Sequence, residues 1–216
     1  MKRAAWLPVA LVLALAACGG NGESEQSTTT AAASGGCRQV EAPASQAREA
    51  EPPSGPLAKG SRPQILVDTS CGAFTITLDP KSAPHAAASF ANLAKTGFFD
   101  GTSFHRIVPG FVIQGGDPTG TGGGGPGYST VDTPPAGTTY PRGTVAMAKT
   151  GAEPPGTAGS QFFVVTKDAP LPPDYAVIGT VSSGMETVGR VEALGDRATE
   201  LPRRPVVIDS MSVNSG

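Results

Sequence analysis

From Pro63 to Val213 the apolar residues arrive in short runs, and glycine or proline ends nearly every one: "SFHRIV", "FVIQGG", "GTVAMA", "QFFVVT", "AVIGTV". Runs of this length suit strands and are too short for helices of three turns. "PQILVDTS" and "AFTITLD" meet at Cys71-Gly72, and Phe74, Ile76 and Leu78 alternate with Thr75 and Thr77, which predicts a hairpin with one buried face. "PVVIDSMSV" reads as a closing strand. Only two stretches change period. In "SAPHAAASFANLAKTG", Ser82 is the expected N-cap, Pro84 fits the first turn, and Ala87, Phe90, Ala91, Leu93 and Ala94 share a face before Gly97. In "GMETVGRVEAL", Met185, Val188, Val191 and Leu194 fall at helical spacing. Many short strands with two helices predict an antiparallel sheet curled into a barrel or sandwich, not βαβ units.

The chain before this region has a different character. Met1-Lys2-Arg3 precedes "AAWLPVALVLALAA", an apolar stretch of signal-peptide length that falls short of the roughly 20 residues of a comfortable bilayer crossing. It ends in "LAAC", which resembles the bacterial lipobox, with Cys18 as the lipidated residue. Residues 1–17 are therefore expected to be a lipoprotein signal peptide. The mature chain is expected to sit outside the cytoplasm, held at the membrane by an N-terminal lipid anchor. Residues 18–61 hold almost no large apolar side chain and are expected to form a disordered tether. Residues 62–216 are then the folded domain, roughly 150 residues and enough for one core.

Two cysteines remain, Cys37 and Cys71, and outside the cytoplasm an even pair invites a disulfide. Two free thiols are the alternative. The cysteines are too few for a metal site, and His85 and His105 have no neighbour at ligand spacing, so no metal is expected. A formal net charge of −2 without a basic run gives no support to a nucleic-acid partner.

Several motifs lead nowhere. Gly120, Gly122 and Gly125 spell G-x-G-x-x-G, but Pro126 and Gly127 follow where a dinucleotide site needs a helix, so the stretch reads as a long surface loop. Ser160 lacks the G-x-S-x-G elbow. His105 reads as a hydrogen-bonded structural residue. "FHRIVPGFVIQGGD", Phe104 to Asp117, poses a sharper problem: Arg106 and Gln114 stand among apolar and aromatic residues, and burying them unpaired costs several kcal/mol.

"FHRIVPGFVIQGGDPTGTG" resembles the signature of the cyclophilins, the cyclosporin-binding class of peptidyl-prolyl cis-trans isomerases. The similarity continues through "RGTVAMA", "GSQFFVVT" and "AVIGTV" and covers roughly Pro63 to Val213. The resemblance implies a closed eight-stranded antiparallel barrel capped by two α-helices, and an enzyme that needs no cofactor. It implies a prolyl pocket from Phe111, Val112, Phe163 and Ile178, Arg106 as the catalytic donor, and Gln114 orienting the substrate and supporting the guanidinium.

The departures from the family pattern are local. Val112 replaces a common methionine, and Lys149 followed by Thr150 stands where an asparagine is usual, beside the substrate backbone. "AEPPGTA" lengthens the loop between Gly151 and Gly159. A tryptophan that favours cyclosporin aligns near Pro170, and a familiar histidine becomes Tyr175; the only tryptophan is Trp6, so weak cyclosporin binding is expected. The substrates implied are proline-containing exported polypeptides, whose folding the enzyme assists. One alternative is a non-catalytic module of the same fold that binds proline segments as a chaperone or scaffold. The other, an extracytoplasmic solute-binding lipoprotein, suits the signal but not so short and strand-rich a domain.

Overall fold

The structure, a computed structural model, describes residues 36–214; the expected signal peptide and Cys18 lie outside the described residues. β1 (Gln64–Thr69) and β2 (Gly72–Leu78) form the first hairpin, with Phe74, Ile76 and Leu78 buried and their threonine neighbours half-exposed. α1 (Pro84–Lys95) follows, then β3 (Arg106–Val108) and β4 (Val112–Gly115). After them come β5 (Thr130–Val131), β6 (Thr144–Met147), β7 (Thr157–Ala158) and β8 (Phe162–Val165). β9 (Val177–Ser183), α2 (Met185–Glu192) and β10 (Ile208–Asn214) complete the chain.

Eight of the strands join one antiparallel sheet in the order β10-β1-β2-β9-β6-β8-β4-β3. The fold is mainly β with two helices, but the closed barrel expected from the resemblance is not what forms. The end strands β3 and β10 do not pair along their length, and the sheet is an open, strongly curled half-barrel. Single contacts cross the seam: Phe104 N–H donates to Val206 O at 2.9 Å and Ile107 N–H to Glu200 O at 2.8 Å. Two features prevent a full ladder. β3 has only three residues, and Pro202 and Pro205, on the opposing segment, carry no N–H to donate.

The start of α1 also differs from expectation. Its N-cap position is Ala83, not Ser82, and that residue makes no side-chain cap. The short pair β5–β7, not foreseen from the sequence, brings Asp132 to the helix end instead. The Asp132 carboxylate accepts from His85 N–H at 2.9 Å and Ala86 N–H at 2.7 Å, satisfying two of the free donors of the first turn with a favourable charge.

Strand alternation divides the apolar residues into two groups. Ile107, Ile113, Val145, Met147, Phe162, Val164 and Ile178 point into the main core with the helices. Val112, Ala146, Phe163 and Val165 point the other way, together with Val108, Val177 and the buried Tyr140. The functional surface lies on this second face.

The tether expected over residues 18–61 is not a slack chain where it is described. Residues 36–61 contain no helix or strand, yet the strap lies on the domain. Gln46 N–H donates to Pro118 O, Ala50 N–H to Pro126 O and Leu57 N–H to Pro84 O. Arg48 Nη1 donates to the carbonyls of Phe98 and Asp100 at 2.5 and 2.8 Å. Cys37, Ala50 and Leu57 pack against the main core, and Cys37 is joined to Cys71 by a disulfide. Composition signals disorder by counting apolar burial alone; here main-chain hydrogen bonds, a crosslink and prolines that restrict the unfolded chain supply the difference.

The disulfide spans 34 residues of sequence, and a loop of that length implies a stabilisation of about 3 to 4 kcal/mol by chain entropy. Urea unfolding with and without reductant is expected to show a loss of that size. Equal midpoints would mean that the strap contributes nothing to global stability.

Candidate active site

The site grows out of the β3–β4–β8 register. Arg106 faces Gln114 across the β3–β4 pair, and Gln114 faces Phe163 across β4–β8. Neighbours one step along, Ile107, Ile113 and Val164, pair in the same way on the opposite face. A guanidinium, an amide and an aromatic ring are thus set side by side on the face turned away from the main core, with Phe163 buried in the smaller apolar cluster of that face. A pocket of about 140 Å³ opens there, lined by Arg106, Phe111, Val112, Gln114, Ala148, Lys149, Phe163, Leu171 and Tyr175.

Seven of the nine residues singled out from the sequence for catalysis or substrate contact line this pocket. Ile178 does not: it is fully buried in the main core, and its neighbour Val177 points toward the pocket-side cluster. In "AVIGTV" the sequence leaves the phase of the alternation open by one residue, and a shift of one exchanges the two faces. Thr150 is also outside the pocket. It is exposed on an adjoining groove, its N–H donating to Glu153 Oε2. Ala148 and Leu171 were not foreseen. They follow short strand ends or prolines and carry no periodic signal. Pro170 is exposed, and Leu171 beside it forms the rim.

Arg106 is held from two sides. Its Nε and Nη2 both reach Glu200 Oε2, at 2.8 and 2.7 Å, and Nη1 donates to Gln114 Oε1 at a long 3.4 Å. Gln114 Nε2 donates to Gln161 Oε1 at 3.1 Å, and Gln161 Nε2 donates in turn to Gly122 O and Gly124 O at 2.9 and 3.0 Å. Both members of the Arg106–Glu200 pair are partly exposed, so it contributes at most about 1 kcal/mol to stability. Its consequence is orientation, since a doubly held guanidinium has few rotamers left. Glu200 is the one described non-glycine residue with positive φ, at 60°, a backbone state that costs of order 1 kcal/mol or more.

Lys149 Nζ donates to Thr150 O and Glu153 O and lies 5.7 Å from the Tyr175 ring centroid. Tyr175 stands edge-on to Phe163, with centroids 5.4 Å apart. The buried Tyr140, absent from the sequence-based set, clamps the Tyr175 backbone: its hydroxyl donates to Tyr175 O and accepts from Tyr175 N–H.

The turn after Gln114 explains two glycines. Gly116 has φ 85°, and a Cβ there would lie 2.5 Å from Ser160 O. At Gly124 a Cβ would meet Asp117 Oδ1. Asp117, buried, organises the glycine-rich loop by accepting from Thr119 N–H, the Thr119 hydroxyl and Gly122 N–H. Burial pushes its carboxyl upward, but the Thr119, Gly124 and Gly122 hydrogen bonds outweigh that and hold it below the ordinary carboxylate value. His105 differs from expectation in the opposite sense. Neither ring nitrogen meets a partner at full hydrogen-bond geometry. Burial pulls its pKa below the ordinary histidine value, with Asp117 pulling the other way and Ser103 and Gln161 near enough to favour the charged form weakly. A neutral imidazole there adds no second positive charge beside Arg106.

This geometry has clear relatives. The sequence profile described as "Cyclophilin type peptidyl-prolyl cis-trans isomerase/CLD" matches residues 64–213. Peptidyl-prolyl cis-trans isomerase B of Bacillus subtilis is 47% identical over 111 residues, 50% of this chain and 76% of that protein. A peptidyl-prolyl cis-trans isomerase of Arabidopsis thaliana is 37% identical over 153 residues, 68% of this chain and 90% of the relative. Among solved structures, a cyclophilin type isomerase of Cryptosporidium parvum superposes with a TM-score of 0.66 at 32% identity, covering 72% of this chain and 99% of that one. The chain belongs to the cyclophilin family of peptidyl-prolyl cis-trans isomerases.

Two expectations follow. Glu200→Gln keeps the shape and removes the charge, and is expected to lower kcat for isomerisation several-fold with little change in KM. Glu200→Gly relieves the left-handed backbone and should lose the same rate without losing thermal stability; unchanged kcat in both variants would remove Glu200 from any positioning role. For Asp117, a folded-state pKa below the unfolded value near 3.8 means that its contribution is present above that value and is lost as pH falls through the lower folded one. An acid titration of stability should therefore show wild type converging on Asp117→Asn below about pH 3.8, whereas a constant gap down to pH 2 would contradict the carboxylate's role.

Proposed function

We propose that this pocket accelerates cis–trans isomerisation of X-Pro bonds in exported polypeptides and so assists their folding. The observation that carries the reading is the Arg106 guanidinium, fixed between Glu200 and Gln114 at the rim of a small pocket that also holds Phe111, Val112 and Phe163. An X-Pro bond favours trans by only about 0.5 to 1 kcal/mol, yet interconverts over tens to hundreds of seconds because amide resonance must be broken. Nothing has to be transferred. The enzyme must bind the twisted amide better than either planar isomer.

Three tasks follow from that requirement, and the site has residues for each. Phe111, Val112, Phe163 and Leu171 supply an apolar seat for the prolyl ring. Twisting takes the nitrogen lone pair out of conjugation and makes it an acceptor, so the cationic donor on Arg106 gains strength only at the transition state. Because Glu200 and Gln114 already hold the guanidinium, little reorganisation remains when the bond twists. Gln114, supported by Gln161, orients the substrate backbone.

The cyclophilin type isomerase of Cryptosporidium parvum has also been crystallised in the presence of the dipeptide Ala-Pro, which supports a proline-containing ligand for this chain. Weak cyclosporin binding belongs to the same reading, with Leu171 and the exposed Pro170 where the family's tryptophan would stand. So does attachment to a membrane, outside the cytoplasm, through a lipid on Cys18. The "LAAC" stretch supports that placement, and the Cys37–Cys71 disulfide is of a kind that persists in oxidising compartments.

Exchange NMR on a short Ala-Pro peptide tests the reaction. Wild type is expected to accelerate exchange, and Arg106→Ala to lose about a hundredfold or more of that rate while still binding the peptide. Binding by wild type with no change in exchange would leave a proline-segment binding module instead.

A further inference from the structure

The prolyl pocket opens into a second, wider depression of about 660 Å³, and Gln114, Ala148 and Lys149 line both. One wall of that groove is the glycine-rich loop from Gly122 to Gly127; the Lys149–Glu153 segment and Gln161 form another. The remaining wall comes from Ala47, Arg48 and Glu49. These three precede residues 64–213, the part of the chain that matches the family. They belong to the strap whose composition reads as a slack tether.

We infer that strap residues 46–50 complete an extended subsite for the polypeptide flanking the proline, and so set this enzyme's preference among substrates. The inference rests on the isomerase reading and deepens it. Four observations support it. The strap is fastened at both ends of the wall, with Gln46 N–H donating to Pro118 O at 3.2 Å and Ala50 N–H to Pro126 O at 3.0 Å. Arg48 fastens the middle by donating to two carbonyls behind it, those of Phe98 and Asp100. The Glu49 stem lies beside Gly127, where a Cβ would meet Glu49 Cγ at an ordinary contact distance of 3.6 Å, so the strap borders the glycine loop directly. The groove's own chemistry suits an extended main chain. The Gly122–Gly125 stretch carries no side chains, which leaves room for an extended chain along that wall.

Charge placement points the same way. The two cations of the groove are committed to main-chain carbonyls, Arg48 to Phe98 and Asp100 and Lys149 to Thr150 and Glu153. The groove is also joined to the catalytic arginine: Gln161 bonds Gly122 and Gly124 on one side and Gln114 on the other, and Gln114 meets Arg106. A chain lying in the groove therefore rests on the same hydrogen-bonded row that orients the catalytic donor. A peptide too short to reach the strap forgoes that contact.

The test compares a tetrapeptide centred on Ala-Pro with the same sequence extended by four residues at each end, using the full chain. Wild type is expected to show a kcat/KM about tenfold higher for the long peptide, the equivalent of one or two added hydrogen bonds. Ala47→Trp, at an exposed position, fills the groove and is expected to erase most of that advantage through KM. Arg48→Ala, which frees the strap, should move the ratio in the same direction. Amide shifts of Gln46 to Ala50 are expected with the long peptide and not with the short one. Equal kcat/KM for the two peptides in wild type, or an advantage that survives both substitutions, would overturn the subsite. If neither peptide is turned over, the isomerase reading fails instead, and the strap amide shifts still decide whether the groove takes a polypeptide.

Discussion

Everything in the site depends on the phase of three short strands. In β3, β4 and β8 each residue faces either the packed interior or the outer surface, and the register pairs Arg106 with Gln114 and Gln114 with Phe163. One residue of slip would bury the guanidinium and expose Ile107 and Ile113, which are fully buried. The hydrophobic core thus enforces the placement of the polar pair. A charged side chain is held on an apolar sheet face because its strand neighbours have no other place to go.

Around that register the backbone of the glycine loop and its side-chain partners hold the site together. Asp117 gathers the glycine loop, Gly116 passes under Ser160, and Gln161 links the loop to Gln114. Glu200 reaches Arg106 from the segment that crosses the open seam, and its own backbone carbonyl accepts from Ile107. The incomplete closure of the sheet is therefore connected to the candidate site: the segment that fails to form a strand against β3 is the one that positions a carboxylate on the guanidinium.

Much of this was legible in the sequence. Short alternating runs identified the strands, two changes of period identified the helices, and an arginine and a glutamine within an apolar motif marked the site. What escaped was information carried by distant contacts. Ile178 and Val177 are equivalent by composition, and only pairing with β6 decides which faces the core. Asp132 caps a helix 46 residues away, and no local pattern announces that. Tyr140 and Leu171 lie outside any strand, where periodicity has nothing to say. The strap was the largest misreading, because low apolar content measures one source of order and is blind to carbonyls supplied by Phe98, Pro118 and Pro126.

The central claim is that the prolyl ring sits beside Phe163 with its amide nitrogen facing Arg106. A crystal structure of this chain with an Ala-Pro dipeptide tests it most directly. The account predicts the ring against Phe111, Val112 and Phe163, with the guanidinium still held by Glu200 and turned toward the prolyl nitrogen. A dipeptide seated elsewhere in the groove, with Arg106 turned away from it, would contradict the assignment of the catalytic centre.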